Sequence, residues 1–134
     1  MPPDPRPLTS PRRVLVADDN RDAADSLSML LTMLDCEVRT AYDGAQAIAI
    51  AREFRPSLVL LDLCMPVLDG LSAARVLRAE PIGQDLALVA VSALATEADK
   101  AAVKAAGFDA HLPKPLDLDI LRPYLLADRA ALAA

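Results

Sequence analysis

With 134 residues the chain can build one domain around a single sizeable core, and it is too short for two. A formal charge of -5 excludes the clustered Lys and Arg of a sequence-independent nucleic-acid binder, and 2 cysteines are too few for a disulfide framework or a thiolate metal centre. Hydrophobic residues make up 54% but aromatics only 3%, so the core must be layered from Leu, Val, Ile and Ala, and no apolar run approaches membrane-spanning length.

Residues 1–12 lie in the stretch MPPDPRPLTSPRR, which holds five of the 11 prolines and shows no apolar periodicity; they read as an extended tail or linker. There is no apolar signal-peptide core, so a reduced, cytoplasmic setting without a membrane partner is expected. The folded domain is expected over 13–127, with 128–134 a helix end or tail. VLVA (14–17), LVLL (58–61) and LALVAV (86–91) are continuous apolar runs, as in parallel strands covered on both faces. EVRTAY (37–42) instead alternates Val38, Thr40 and Tyr42 against Glu37, Arg39 and Ala41, which suits an edge strand.

Helical periods fill the intervals. Over 21–35, Ala23, Ala24, Leu27, Leu30, Leu31 and Leu34 recur on one face. Asp43 with Gln46 reads as a capping box for a helix that Pro56 ends, and a third helix is expected over 70–78. Thr96 with Asp99 is a second capping box, opening a helix stopped by Gly107 in the left-handed C-terminal position. FDAHLPKP supplies a short fifth strand, and Asp117 begins a last helix that Pro123 should kink or split. This alternation, with right-handed crossovers, predicts an α/β fold: a flavodoxin-like, doubly wound, five-stranded parallel sheet in the order 2-1-3-4-5 with five helices.

In that order, functional groups gather at the carboxyl ends of the strands. Asp18, Asp19 and Asn20 leave the first strand, Asp62 the third, Ser92 the fourth and Lys114 the fifth. Taken singly they have ordinary readings: helix caps, a turn acid, a solvated hydroxyl and a surface lysine. Taken together, three carboxylates would repel one another unless a cation shared them, and hard oxygen ligands at an open site favour Mg2+. The hydroxyl and the ammonium complete a pocket suited to a phosphoryl group.

VLVADDN, LLDLCMPVLDG, the serine after strand four and the Lys-Pro after strand five together resemble the receiver domain of two-component response regulators, over residues 13–127. The resemblance implies that Asp62 is a phosphoacceptor served by a histidine kinase or histidine phosphotransfer protein. It implies Mg2+ held by Asp19, by Asp18 mostly through water, by Asp62 and by the backbone carbonyl of Cys64. Ser92 and Lys114 would hold phosphoryl oxygens, with a cis Lys114-Pro115 bond aiming the lysine. Beyond the domain's own phosphorylation and dephosphorylation, no enzyme activity is implied.

Some positions depart from the family pattern. His111 stands where Tyr or Phe is usual, either as a half-exposed edge-strand residue without a signalling role or as the switch residue with added pH sensitivity. Cys64 and Leu94 occupy places that tune water access to the acyl phosphate, and neither positions a water well. Pro113, Pro115 and Pro123 stiffen the region that changes on phosphorylation, which leaves a monomer or weak homodimer. Nothing after 127 resembles an effector domain, so output passes through a partner or another part of a longer protein; the proline-rich lead would suit a covalently linked kinase module. Two rivals stand beside this reading. One is a small aspartate-nucleophile phosphohydrolase, which needs an acid where Cys64 stands; the other is an unphosphorylated interaction module with the same fold.

Overall fold

The three continuous apolar runs become the centre of the sheet. The computed structural model describes residues 12–93, 96–114 and 116–126. Its elements are β1 (Arg12–Ala17), α1 (Arg21–Met33), β2 (Cys36–Ala41), α2 (Gly44–Phe54), β3 (Leu58–Asp62), α3 (Gly70–Ala79), β4 (Ala87–Ser92), α4 (Glu97–Ala105), β5 (Ala110–Pro113) and α5 (Leu118–Leu126). All neighbouring strands pair in parallel, in the order β2-β1-β3-β4-β5.

Both faces of the three central strands are covered, which is why the runs 14–17, 58–61 and 87–91 within them are continuously apolar. Val14, Val16, Leu58, Leu60, Val89 and Val91 meet Ala24 and Leu31 of α1 and Leu121 of α5. Leu15, Val59, Leu61, Leu88 and Ala90 face Ala47, Ala51, Ala74, Leu77 and Val103 of the other helices. Each fully buried Leu or Val is worth about 1.5–3 kcal/mol.

The helix boundaries follow local chemistry. Thr96 and Asp99 form a complete capping box, and Gly107 takes φ 101° past the end of α4. At α2 only half the expected box forms: Asp43 accepts from the Gln46 N–H at 2.8 Å, but the Gln46 side chain accepts from Tyr42 N–H rather than Asp43. The α1 stripe is also only partly core, since Leu30 and Leu34 are exposed. A short 3-10 turn over Pro81–Gln84, absent from the sequence expectations, joins α3 to β4.

The expected split at Pro123 does not occur; α5 runs through it from Leu118 to Leu126. Pro123 and Asp119, whose carbonyl loses a donor, both lie on the exposed side, where solvent can replace that bond. The Lys114-Pro115 bond, Leu94 and the segments 1–11 and 127–134 lie outside the described residues.

Arg78 of α3 ties the amino ends of β4 and β5 together. Its guanidinium donates to the carbonyls of Gly107 (2.8 Å), Gly83 (2.6 Å) and Leu86 (2.7 Å) and to Asp109 (2.5 Å). Asp109 in turn accepts from Leu88 N–H at 2.9 Å. The ion pair is buried, so either partner left alone is an uncompensated charge. Arg78→Ala is therefore expected to lower the unfolding free energy by about 3–5 kcal/mol. Asp109→Ala should cost a similar amount and the double variant less than the sum, as read from urea denaturation.

Candidate functional site

The carboxyl edge of the sheet is built by strands that stop at different heights. Asp62 is the last residue of β3, paired in register with Val91 and only 6% exposed. Asp18 follows β1; its N–H donates to the Ala41 carbonyl at 3.0 Å, and its carboxylate accepts from Asn20 N–H at 2.9 Å. Asn20 caps α1 by accepting from Ala23 N–H at 3.1 Å, so the ordinary capping reading is correct for Asn20 and leaves both aspartates available. Asp19 is exposed.

Lys114 joins these acids. Its ammonium donates to Asp18 and to Asp62, each at 3.0 Å, while its own N–H donates to the Ser92 carbonyl at 3.1 Å. Ser92 is buried at the end of β4. The remaining Asp62 oxygen accepts from Cys64 N–H at 3.2 Å. Asp18, Asp19, Asp62, Ser92 and Lys114 are thus gathered at one edge.

Burial pushes the Asp62 carboxyl above its usual range, overcoming the opposing hydrogen bonds from Lys114 and from Cys64 N–H, with nearby Asp18 adding to the rise. Burial alone would lower Lys114, but its bonds to Asp62 and Asp18 outweigh that and raise it, so it stays an ammonium. Carboxylate oxygens of Asp18, Asp19 and Asp62 lie within 4.8 Å of one another, and the ammonium pairs with two of the three acids, Asp18 and Asp62. The imbalance of charge and the all-oxygen donor set fit a hard divalent ion, and the exposed side of Asp19 leaves room for its waters.

His111 does not join this cluster. It lies half-buried on β5, opposite Ala90, and faces a cavity of about 310 Å³ lined by Lys100, Lys104 and Phe108, where its Nε2 has no hydrogen-bond partner. The Cys64 side chain is exposed with a free thiol. A feature missed by periodicity is the cleft of about 610 Å³ beside the acids, walled by Ala23, Ser26, Leu27 and Leu30 of α1. Leu30 belongs to the apolar stripe of α1, yet among the described residues it is exposed and lines this cleft.

A doubly wound parallel sheet with an acid and lysine cluster at its topological switch point defines a flavodoxin-like domain. The profile of the response regulator receiver domain matches residues 14–125, and the chain belongs to that family. It is 44% identical over 111 residues to the transcriptional regulatory protein PrrA of Mycobacterium tuberculosis, covering 83% of this chain and 46% of PrrA. The response regulator MprA of Mycobacterium avium is 38% identical over 109 residues, covering 81% and 47%. The chain therefore spans about half the length of the curated relatives it matches.

Among solved structures, chemotaxis protein CheY4 of Vibrio cholerae superimposes with a TM-score of 0.82 at 26% identity, covering 87% of this chain and 98% of CheY4. The receiver domain of sensor histidine kinase PA1611 from Pseudomonas aeruginosa, solved with a magnesium ion in its active-site cleft, gives a TM-score of 0.79 at 31% identity, covering 87% and 95%. Among the described residues of this chain, no helix is long and apolar enough to cross a membrane.

An acid whose pKa is raised by folding costs stability once it ionises: the cost is absent below its unfolded pKa and complete above its folded one. Asp62→Asn removes that charge while keeping the shape. In Mg2+-free buffer at neutral pH it is expected to raise the thermal midpoint, with the gain vanishing as pH falls below the ordinary aspartate range. An equal midpoint for the two proteins at neutral pH would contradict the electrostatic account.

Proposed function

We propose that the chain is a phosphoacceptor receiver domain of a two-component phosphorelay, in which Asp62 takes a phosphoryl group from a histidine kinase or histidine phosphotransfer protein. The observation that carries this reading is the ammonium of Lys114 at 3.0 Å from both Asp18 and Asp62, beside buried Ser92. An oxygen of Asp62 forms the bond to phosphorus as the bond to the donor's imidazole nitrogen breaks. Lys114 then shifts its hydrogen bonds from carboxylate to phosphoryl oxygen, and the Ser92 hydroxyl donates to a second one. Asp18, Asp19, Asp62 and the Cys64 carbonyl would hold Mg2+, which when bound supplies positive charge against the entering phosphoryl oxygens. Catalysis is then positioning and charge neutralisation, with little covalent work for the protein.

The unit assigned to this task is 13–127, with 1–12 as a tethering lead and 128–134 as a tail, in a cytoplasmic protein acting as a monomer or weak homodimer. Because the matched regulators are about twice as long, output belongs to a partner or to further chain, including a linked kinase module. His111 acts as the switch residue: its position three residues before Lys114 links it to the site through the β5 backbone. The phosphohydrolase alternative lacks an acid at Cys64. The unphosphorylated module does not account for three clustered acids, two of them paired with one lysine.

Incubation with acetyl phosphate and Mg2+ is expected to add one phosphoryl group to the wild-type chain, seen by mass spectrometry, and none to Asp62→Asn. Lys114→Ala should slow labelling by about 10²-fold, the scale of removing a preorganised charge partner. Repeated turnover of aryl phosphates would favour the hydrolase instead. The same label is expected to persist longer than in fast-cycling chemotaxis receivers, because Cys64 cannot position an attacking water; Cys64→Asn should shorten its life, measured as label remaining after donor removal. Binding of fluoroberyllate should move the NMR resonances of the His111 ring, and one unchanged environment would remove it from the switch.

A further inference from the structure

The loop from β3 to α3 wraps the Asp62 side of the pocket along an unfavourable path. Val67 sits at φ 68°, which a β-branched residue rarely adopts, and around it Leu68 N–H donates to the Pro66 carbonyl at 2.7 Å to close a three-residue turn. Such a conformation costs about 1–3 kcal/mol and persists only when its surroundings impose it. Val67 is 80% exposed, so its own side chain does not impose it.

Its neighbour does. Leu68 is half-buried against the core that includes Ala47 and Ile48 of α2, and its backbone rests on Gly44, the buried first residue of that helix. A Cβ on Gly44 would overlap the Leu68 carbonyl oxygen and lie 2.7 Å from the carbonyl carbon and 2.9 Å from the Leu68 Cβ. Backbone has no rotamer by which to yield. At the loop's exit Gly70 makes a second close approach, where a Cβ would lie 2.9 Å from the Leu63 Cα and 3.0 Å from the Asp62 carbonyl carbon. Between these two seats the Cys64 N–H donates to Asp62, so a displaced loop takes the orientation of that carboxylate with it.

We propose that Gly44 is a positioning residue for the Mg2+ and phosphoryl site: lacking a side chain, it lets α2 seat the β3–α3 loop, and the seat fixes where the Cys64 backbone and the Asp62 carboxylate stand. The inference rests on the functional reading above and deepens it. Gly44 acts through Leu68, a contact that joins positions far apart in the sequence and that no motif of this chain announces.

Calorimetric Mg2+ titration of the full chain, paired with urea unfolding, tests it. Gly44→Ala should keep a cooperative transition while weakening Mg2+ about tenfold or more, the scale seen when a group that orients a metal ligand is disturbed. A role confined to helix packing would move the unfolding midpoint and leave Mg2+ affinity at the wild-type value, which overturns the proposal. Should Gly44→Ala not fold, Leu68→Gly decides, since it removes both the side chain packed on the core and the Cβ that meets Gly44 and frees the loop backbone: several-fold weaker Mg2+ supports the seat, and wild-type affinity overturns it. A wild-type chain that binds no Mg2+ would sink the functional reading and this inference together, whereas wild-type binding with both variants unaltered sinks the inference alone.

Discussion

The structure depends on an unequal charge balance: three carboxylates drawn together at one sheet edge and a single ammonium that reaches two of them. Two of those acids are buried, and burying a charge is tolerable only when it is paired. Lys114 supplies part of the pairing and cannot supply it all. The remainder is an affinity for positive charge, held in a place where the backbone gives the acids little freedom to separate. A preference for hard cations follows from that imbalance, while the raised pKa of Asp62 follows first from burial, with nearby Asp18 adding to it.

Holding such a site requires rigidity that the site itself does not provide. The apolar strands supply most of it, because both faces are packed and register is fixed. The β4–β5 pair is further pinned at opposite ends by two cations of different character. At the amino ends Arg78 spreads a planar fork over three carbonyls and Asp109, a closed arrangement with fixed geometry. At the carboxyl ends Lys114 places a point charge between two acids, an arrangement that can be redistributed. Arginine serves the permanent contact and lysine the exchangeable one.

Much of this was legible in the sequence because it is local. Continuous apolar runs gave the central strands, alternation gave the β2 edge, and the residue after each run gave the acids, the serine and the lysine. The capping box at Thr96 and the stop at Gly107 were readable because their partners lie within a few residues. What escaped depends on distant packing. Leu30 has the period of a core residue, but its exposure is decided by what packs against α1, which the period does not record. Pro123 looks like a breaker until its freed carbonyl is seen to face solvent. Gln46 bonds one residue earlier than the simplest box, and the 3-10 turn at Pro81 has no period to detect.

Lys114 also determines how the site can be felt elsewhere. It sits just past β5, an edge strand, yet its partners follow β1 and end β3, strands that β5 does not touch. The lysine therefore bridges over β4, and its backbone is fastened to Ser92 on that intervening strand. A group held at the Asp62 carboxylate would compete for the same ammonium, and His111 lies three residues upstream of that lysine, beside a cavity lined in part by Lys100 and Lys104 of α4. A transmitted change needs an element with two arrangements and a ligand that prefers one. Under the proposed function, the edge strand, tied to the site by an ion pair and to the sheet on one side only, is the element placed to meet the first condition, and a phosphoryl group drawing on Lys114 the ligand to meet the second.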